Sequence, residues 1–333
     1  MTTILYPEPC VLDTSVERTI LGPDVHLLMY PNLPIAALPD ADCAIADALM
    51  VMDDWLTGAD LARFPRLRLV VRMAVGYDRI DRAALARRGI TLCNVPDYGT
   101  TEVADTALAM LLALRRGLPL YLDTQRAAPP APWTPIDSPV IQRVSRARLG
   151  ILGLGRIGTA VALRAKAFGM RVVAYDRFQP SGVELALGIQ RVADLDALFE
   201  GVDAVSLHVP LTPLTRGMVG LAQLRRTAPG AVVINTARGG VLDLDAVETL
   251  LREGHLAGAG LDVLPVEPVT EPPPLMRAYQ AREPWLEGRL IITPHAAYRS
   301  PQSWDDIRRL SAETVASNLL WGIPRNVIPP EES

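Results

Sequence analysis

The chain has 333 residues, a hydrophobic fraction of 49%, a charged fraction of 21% and a formal net charge of −4. A chain of this length is expected to form about two domains, and its composition excludes disordered and fibrous classes. The negative charge argues against general affinity for nucleic acid, which requires a clustered basic surface.

The spacing of the cysteines and the length of the apolar runs indicate the cellular compartment of the protein. Cys10, Cys43 and Cys93 are widely spaced and include no Cys-x-x-Cys pair, so neither a disulfide framework nor a zinc site is indicated. The longest apolar run, 107–114, is far shorter than the ~20 residues of a membrane span, and the N-terminus does not resemble a signal peptide. We therefore expect a cytoplasmic protein that makes no contact with membranes.

The first hundred residues alternate short apolar segments with helical stretches. This alternation predicts a parallel sheet covered on both faces, and hence a small α/β unit. The predicted strands are 3–6, 25–29, 48–52, 67–73 and 90–93. Asp53 and Trp55 follow the third strand and could border a substrate pocket, although a solvated loop explains them equally well.

A long helix and a proline-rich loop come next. Residues 101–116 place apolar side chains on one stripe, with Glu102 near the start, where the helix dipole favours an anion. Residues 127–135 contain four prolines and cannot continue the helix. This segment is predicted to be a loop or linker.

A second α/β series then follows. Helix 243–252 is predicted to begin after Asp243 as N-cap and to end near Gly254. A last helix, 304–320, is expected to pack back on the N-terminal unit. The predicted strands are 149–152, 172–175, 204–208, 231–235, 259–263 and 290–293. This layout is typical of a dinucleotide-binding domain.

The glycine motif Gly153-Leu154-Gly155-Arg156-Ile157-Gly158 lies between a predicted strand and a predicted helix. Gly153 would allow the tight turn, Gly155 close approach of the pyrophosphate, and Gly158 close packing of helix on strand. An unrelated glycine turn is the alternative. The strand and helix around the motif favour the dinucleotide site.

Asp176 ends the next strand, 18 residues after Gly158, close to the ~20 expected for an acid that binds the ribose. Its carboxylate would accept hydrogen bonds from the ribose hydroxyls and repel a 2′-phosphate. The sequence therefore favours NAD(H) over NADP(H). NADP(H) is not excluded, because Arg177 could receive a 2′-phosphate.

Three chemically suitable residues follow predicted strands in the second half. Arg238 could bind an α-carboxylate bidentately and polarise the adjacent carbonyl. His295 could donate a proton to that carbonyl, and Glu267 could hold the imidazole in one tautomer and favour its charged form. Each also has a plainer interpretation as a surface or packed side chain. No ligand spacing suggests a metal.

Together these residues resemble the D-isomer-specific 2-hydroxyacid dehydrogenase family, and more narrowly its C-terminal-binding-protein branch. The likeness covers most of residues 67–310. The matching stretches are 71–78 (VRMAVGYD), 93–96 (CNVP), 102–106 (EVADT), 153–176, 235–240 (NTARGG) and 293–297 (TPHAA).

The resemblance implies a Rossmann-type, doubly wound parallel sheet inserted into a smaller flavodoxin-like α/β substrate domain. The boundaries expected are 1–100 with 298–333 for the split substrate domain and 101–297 for the NAD-binding domain, with a homodimer through the latter. Arg238, Glu267 and His295 fall on the family's catalytic positions. Cofactor contacts fall on Arg156, Ile157, Asp176, Val209, Thr215, Thr236, Ala237 and Asp262.

In the same resemblance, the backbone amides of Val75 and Gly76 bind the substrate carboxylate, and Arg72 and Tyr298 border the substrate. Tyr298 stands where the branch has tryptophan. The segment between Glu267 and His295 looks longer than usual, and its Met276, Tyr279 and Trp285 are expected to cap the site.

Two functions are compatible with these motifs. The first is an NAD(H)-dependent enzyme that interconverts a small 2-oxo acid and its D-2-hydroxy acid. The second is an NAD(H)-sensing scaffold of the corepressor type, whose output is protein binding. The intact set of arginine, glutamate and histidine favours catalysis.

Overall fold

The computed structural model describes residues 1–8, 13–31, 33–127, 129 and 132–330. Cys10 and residues 128, 130 and 131 of the predicted proline-rich loop lie outside these ranges. The chain forms two compact units, Met1–Gly99 with Arg299–Ser333, and Thr100–Tyr298. We call them the five-stranded unit and the seven-stranded unit, after the sheet that each contains.

The five-stranded unit begins with the alternating segments that the sequence predicts. All five predicted strands are present, with bounds that differ by at most two residues, and they pair in parallel in the order β2-β1-β3-β4-β5. The elements are β1 Thr2–Tyr6, α1 Ser15–Leu21, β2 Val25–Met29, α2 Asp40–Ile45, β3 Ala48–Val51, β4 Leu69–Arg72, α3 Arg82–Arg87 and β5 Thr91–Asn94.

The seven-stranded unit is a parallel sheet in the order β12-β11-β10-β9-β6-β7-β8. Its elements are α4 Thr100–Arg115, α5 Leu118–Arg126, β6 Arg148–Leu152, α6 Arg156–Ala167, β7 Arg171–Tyr175, α7 Val183–Leu187, β8 Gln190–Arg191, α8 Leu195–Phe199, β9 Ala204–Leu207, α9 Leu221–Leu224, β10 Ala231–Asn235, α10 Leu244–Arg252, β11 Leu256–Leu261, α11 Pro274–Gln280 and β12 Leu290–Ile292. Strand β8 was not predicted, because two polar residues give no apolar pattern.

Helices cover both faces of the seven-stranded sheet. Alternate residues of β10 divide between two apolar cores: Val232 and Ile234 pack with α4 and α6, whereas Ala231 and Val233 pack with α10. Residues on successive positions of a strand point to opposite faces, and a sheet that is buried on both faces is apolar throughout. The predicted Rossmann-type α/β class is confirmed.

The chain returns to the five-stranded unit in α12, Pro301–Val315, which continues as a π-helical turn, Ala316–Leu320. Ser300 is the N-cap of this helix, and its hydroxyl accepts a hydrogen bond from the backbone N–H of Ser303 at 2.9 Å. On α12, Arg308 donates to both carboxylate oxygens of Glu17 on α1, at 2.9 and 2.8 Å. Both side chains are almost fully buried, so the last helix is tied to the first, as predicted.

No helix in the described part of the chain is both long enough and apolar enough to span a bilayer.

Candidate active site

The glycine turn lies between β6 and α6, and its glycines differ in their surroundings. Gly153 has a φ of +91°, and a Cβ there would lie 2.6 Å from the carbonyl oxygen of His208. A Cβ on Gly158 would lie 2.0 Å from the carbonyl oxygen of Gly153, whereas one on Gly155 would meet no atom within 4 Å. Two glycines thus pack the turn, and the third leaves open space at the N-terminus of α6, where a phosphate would bind.

Asp176 follows β7 and joins two backbone segments. Its Oδ2 accepts the N–H of Leu154 in the glycine turn at 2.8 Å, while Oδ1 accepts those of Phe178 at 2.8 Å and Gln179 at 3.1 Å. Arg191 on β8 donates to the Asp176 carbonyl at 2.6 Å. The carboxylate is therefore fixed beside the glycine turn, in the place of a ribose-binding acid.

Glu267 and His295 are in direct contact. Nδ1 of His295 lies 2.6 Å from Oε2 of Glu267, and the Leu264 N–H donates to Oε1 at 2.7 Å. Burial raises the pKa of Glu267, but the His295 hydrogen bond, the charges of His295 and Arg238, and the Leu264 N–H outweigh burial and leave the pKa below its usual value. Glu267 is therefore an anion at neutral pH.

Arg238 lies three residues beyond β10, in a turn that is held by Asn235. The Asn235 side chain donates to the Arg238 carbonyl at 3.0 Å and accepts the Ala237 N–H at 3.0 Å. A Cβ on Gly239 would lie 2.0 Å from the backbone carbon of Leu264. The turn that carries Arg238 therefore packs directly against the loop that carries Glu267.

Asp262 shapes the turn that presents His295. Its two carboxylate oxygens accept hydrogen bonds from the Thr293 hydroxyl at 2.5 Å and from the N–H groups of Ala296 and Ala297, both at 2.9 Å. Its carbonyl accepts the His295 N–H at 2.7 Å, and His295 has a φ of +53°. Sequence reasoning placed Asp262 at the cofactor and missed this role; the only signal was an acid at the end of an apolar strand.

Several other expected cofactor residues lie in this unit near the carboxyl ends of its strands. The Thr236 hydroxyl is buried and has no hydrogen-bond partner among the described residues, so it is available to a bound ligand. The Thr215 hydroxyl donates to the Pro210 carbonyl at 2.6 Å and closes its own turn. Arg156 and Ile157 open α6, and Val209 follows β9. An open glycine turn and an orphaned buried hydroxyl suit a dinucleotide.

His208 lies next to the glycine turn, and its ring Nε2 is 2.8 Å from the Ser206 hydroxyl. Burial lowers its pKa to about 3. The ring is therefore neutral at physiological pH and packs as a wall of the turn.

The remaining predicted residues divide between the two units. Tyr298 belongs to the seven-stranded unit, with its ring centroid 6.4 Å from that of His295 in a T-shaped arrangement. Arg72, Val75 and Gly76 belong to the five-stranded unit. There Arg72 is buried at the end of β4 and donates to the Val51 carbonyl at 3.4 Å, and the Val75 carbonyl accepts the Asn94 side chain at 2.8 Å.

The expectation that Trp285 caps the site is wrong. Its ring stacks under the guanidinium of Arg252, 4.0 Å from the ring centroid, at the end of α10. The neighbouring Arg289 donates to the carbonyls of Leu256 and Ala257 at the start of β11. Trp285 thus lies at the amino ends of the strands, whereas His295 follows the carboxyl end of β12. The segment packs on α10 instead, through the buried Leu275 and Ala278 of α11.

Comparison with known proteins defines the class. Residues 108–297 match the model of the D-isomer specific 2-hydroxyacid dehydrogenase, NAD binding domain. A glyoxylate reductase of Korarchaeum cryptofilum is 40% identical over 87% of this chain and 82% of its own length. The chain belongs to the D-isomer-specific 2-hydroxyacid dehydrogenase family.

Two solved structures are similar over the whole chain. The D-lactate dehydrogenase of Aquifex aeolicus, complexed with NAD and lactic acid, has a TM-score of 0.81 and 28% identity, with 100% of both chains covered. An NADPH-dependent glyoxylate/hydroxypyruvate reductase of Sinorhizobium meliloti, complexed with NADP and malonate, has a TM-score of 0.80 and 28% identity, with 100% and 98% covered. The narrower resemblance to the C-terminal-binding-protein branch stays a prediction.

Proposed function

We propose that this protein uses NAD(H) to interconvert a small 2-oxo acid and its D-2-hydroxy acid, with His295 as the proton donor and acceptor. The 2.6 Å contact between His295 Nδ1 and Glu267 Oε2 carries this proposal. An imidazole held by an anion on one nitrogen presents the other nitrogen in a defined direction. The names of the relatives, glyoxylate reductase and D-lactate dehydrogenase, support a substrate of two or three carbons.

His295 exchanges the proton through Nε2. Because Glu267 is ionised, it accepts a hydrogen bond from Nδ1–H in both directions of the reaction, and Nε2 is left to act on the substrate. In reduction, the charged ring donates the Nε2 proton to the carbonyl oxygen. In oxidation, the neutral ring accepts the proton of the substrate hydroxyl.

Arg238 holds the substrate and polarises its carbonyl. A guanidinium matches a carboxylate bidentately, and the Asn235 side chain fixes the turn from which Arg238 extends. We assign the substrate carboxylate also to the amides of Val75 and Gly76, and the border of the pocket to Arg72 and Tyr298. The five-stranded unit then serves as the substrate domain, and the seven-stranded unit as the cofactor domain.

The dinucleotide, when bound, supplies the hydride acceptor or donor. The glycine turn, Asp176 and the Thr236 hydroxyl are the groups that would hold it. The fixed carboxylate of Asp176 favours NAD(H), because a 2′-phosphate there would meet a negative charge. Arg177 remains a route for NADP(H), and related structures contain either cofactor.

We further propose a cytoplasmic homodimer that associates through the cofactor domain, as the family resemblance implies. A reducing compartment agrees with the state of the described cysteines. Cys43 and Cys93 are buried free thiols, and burial raises the pKa of Cys93 to about 12. Such a thiol is not ionised at physiological pH and is inert to oxidation.

An absorbance assay with NADH and a panel of 2-oxo acids tests this function. We expect NADH consumption with glyoxylate or pyruvate, and its loss in Arg238→Ala. Tight NADH binding without turnover of any acid would contradict the proposal and favour the sensing scaffold.

A further inference from the structure

A backbone anion site lies in the five-stranded unit, directly after β3. The N–H groups of Met52, Asp53 and Asp54 all donate to one atom, Oε2 of Glu8, at 2.9, 2.9 and 3.1 Å. Successive amides that converge on one point form a concave nest for an anion. We call these three amides the β3 nest. Glu8 follows the neighbouring strand β1 and supplies the carboxylate that fills it.

The β3 nest is held by contacts that do not involve Glu8. Oδ2 of Asp54 accepts the Ile35 N–H at 2.5 Å, and Arg79 donates to the Asp53 carbonyl. The Leu56 N–H donates to the Arg79 carbonyl at 3.1 Å. The loop would therefore keep its conformation if the Glu8 carboxylate were removed, and an emptied nest would retain its three donors.

The β3 nest lies on the edge of the sheet that carries the proposed substrate amides. Val51 pairs with Arg72 at the ends of β3 and β4, and the Met73 N–H donates to the Val51 carbonyl at 2.8 Å. The chain then runs directly to Val75 and Gly76. The carboxyl ends of adjacent parallel strands thus place a second anion site beside the one assigned to the substrate carboxylate.

We propose that Glu8 is a specificity-determining residue, which fills a subsite for a second carboxylate and thereby restricts the protein to 2-oxo acids with a single carboxylate. This inference rests on the proposed function. A dicarboxylic 2-oxo acid would have to displace Glu8 from three amides or place its own distal carboxylate beside a fixed negative charge. Either alternative costs binding free energy, because hydrogen bonds to charged groups are among the strongest in proteins.

The test compares kcat/KM for oxaloacetate and for glyoxylate in the wild type and in Glu8→Ala. We expect the ratio of oxaloacetate to glyoxylate to rise by about tenfold or more, since one charged hydrogen bond is worth that factor. Glu8→Gln keeps the nest filled but removes the charge, and its ratio should rise less. Asp24→Ala, which removes an exposed acid before β2 at the opposite edge of the same sheet, should leave the ratio unchanged.

A binding measurement separates this inference from the proposed function. Malonate should raise the melting temperature of Glu8→Ala more than that of the wild type, whether or not any 2-oxo acid is reduced. An unchanged ratio of oxaloacetate to glyoxylate in a folded Glu8→Ala protein would overturn the inference. If neither protein reduces any acid, an equal rise in melting temperature with malonate in the wild type and in Glu8→Ala would overturn it. If Glu8→Ala fails to fold, Glu8→Gln decides: a ratio identical to that of the wild type contradicts the charge effect.

Discussion

At the scale of single residues, the site depends on carboxylates that each organise backbone as well as side chains. Glu267 accepts hydrogen bonds from the His295 ring and from the Leu264 N–H. Asp262 accepts three hydrogen bonds from the turn that carries His295. Hydrogen bonds to ionised acceptors are short and about twice as strong as neutral ones. The imidazole is thus fixed both from its ring and from its backbone.

Replacing Glu267 with Gln should slow reduction by at least about tenfold, because orientation and charge of a general acid together contribute ~10²–10⁴ in rate. The amide also lacks the negative charge that faces the ring in the wild type, where Nδ1 of His295 lies 2.6 Å from Oε2 of Glu267. Steady-state rates of 2-oxo acid reduction by the two proteins measure the effect. Glu271→Gln, at an exposed position of the same segment, is the control and should behave as the wild type.

Replacing Asp176 with Asn should weaken the discrimination between the two cofactors. The ratio of kcat/KM for NADH to that for NADPH is expected to fall by about tenfold or more, because the charge that repels a 2′-phosphate is lost while the turn retains an acceptor. Arg177→Ala should instead reduce the use of NADPH alone. A cofactor ratio unaffected by Asp176→Asn would place the ribose elsewhere.

The residues that sequence reasoning found are those whose position alone carries information. Arg238 and His295 follow apolar strands of a parallel sheet, where side chains reach the ligand edge. The sequence could not predict the role of Asp262 in the His295 turn, nor the hydrogen bonds between Glu8 and the β3 nest. Both consist of hydrogen bonds to backbone N–H groups, and those depend on loop conformations that no periodicity encodes.

At the scale of elements, two loops form one rigid support for the site. The turn after β10 carries Arg238, and the loop after β11 carries Glu267. Their backbones touch at Gly239, where a Cβ would lie 2.0 Å from the carbon and 2.2 Å from the oxygen of Leu264. The backbone segments that carry Arg238 and Glu267 are thus in direct contact, because glycine permits this approach.

Gly239→Ala should therefore reduce kcat/KM by about a hundredfold, since displacement of a positioning group by about 1 Å has that effect. Gly240→Ala is a matched control one residue away. Its Cβ would meet only ends of side chains, those of Leu211 at 3.2 Å and Arg216 at 3.5 Å, which can shift at small cost. Equal activities of the two variants would show that the loop contact does not position the proposed catalytic groups.

The sequence predicted the elements better than their ends. Every predicted strand is present, because strands buried on both faces are nearly continuous apolar runs. The helix predicted over 101–116 ends at Arg115, and a second helix, α5, follows Gly117, which has a φ of +66°. The end of the first helix was therefore predicted to within one residue, whereas α5, Leu118–Arg126, was not predicted. The interpretation of Trp285 failed because aromatic side chains fit a core and a pocket equally well.

At the scale of the whole molecule, the half-buried His208 links stability to pH. Its folded-state pKa of about 3 lies below the ~6.5 of an unfolded chain. The unfolded state therefore binds more protons at acidic pH. The stability associated with the neutral ring is complete above about pH 6.5 and is lost as the pH falls towards 3.

Between pH 7 and 5 the wild type should lose up to about 2 kcal/mol of its free energy of unfolding through this residue. His208→Gln removes the titrating group and should show a smaller loss over the same range. Denaturant unfolding at the two pH values measures the difference. Identical pH dependence in the two proteins would mean that folding does not lower the pKa of the His208 ring.

The proposed function requires His295 to be the acid and the base of the reaction. The most direct measurement is the rate of 2-oxo acid reduction by NADH across pH, in the wild type and in His295→Asn. We expect the wild-type rate to fall as the pH rises, because reduction takes up a proton, and the variant to be slower by about 10²–10⁴ and to lack this fall. A variant that keeps the wild-type rate and pH profile would contradict it.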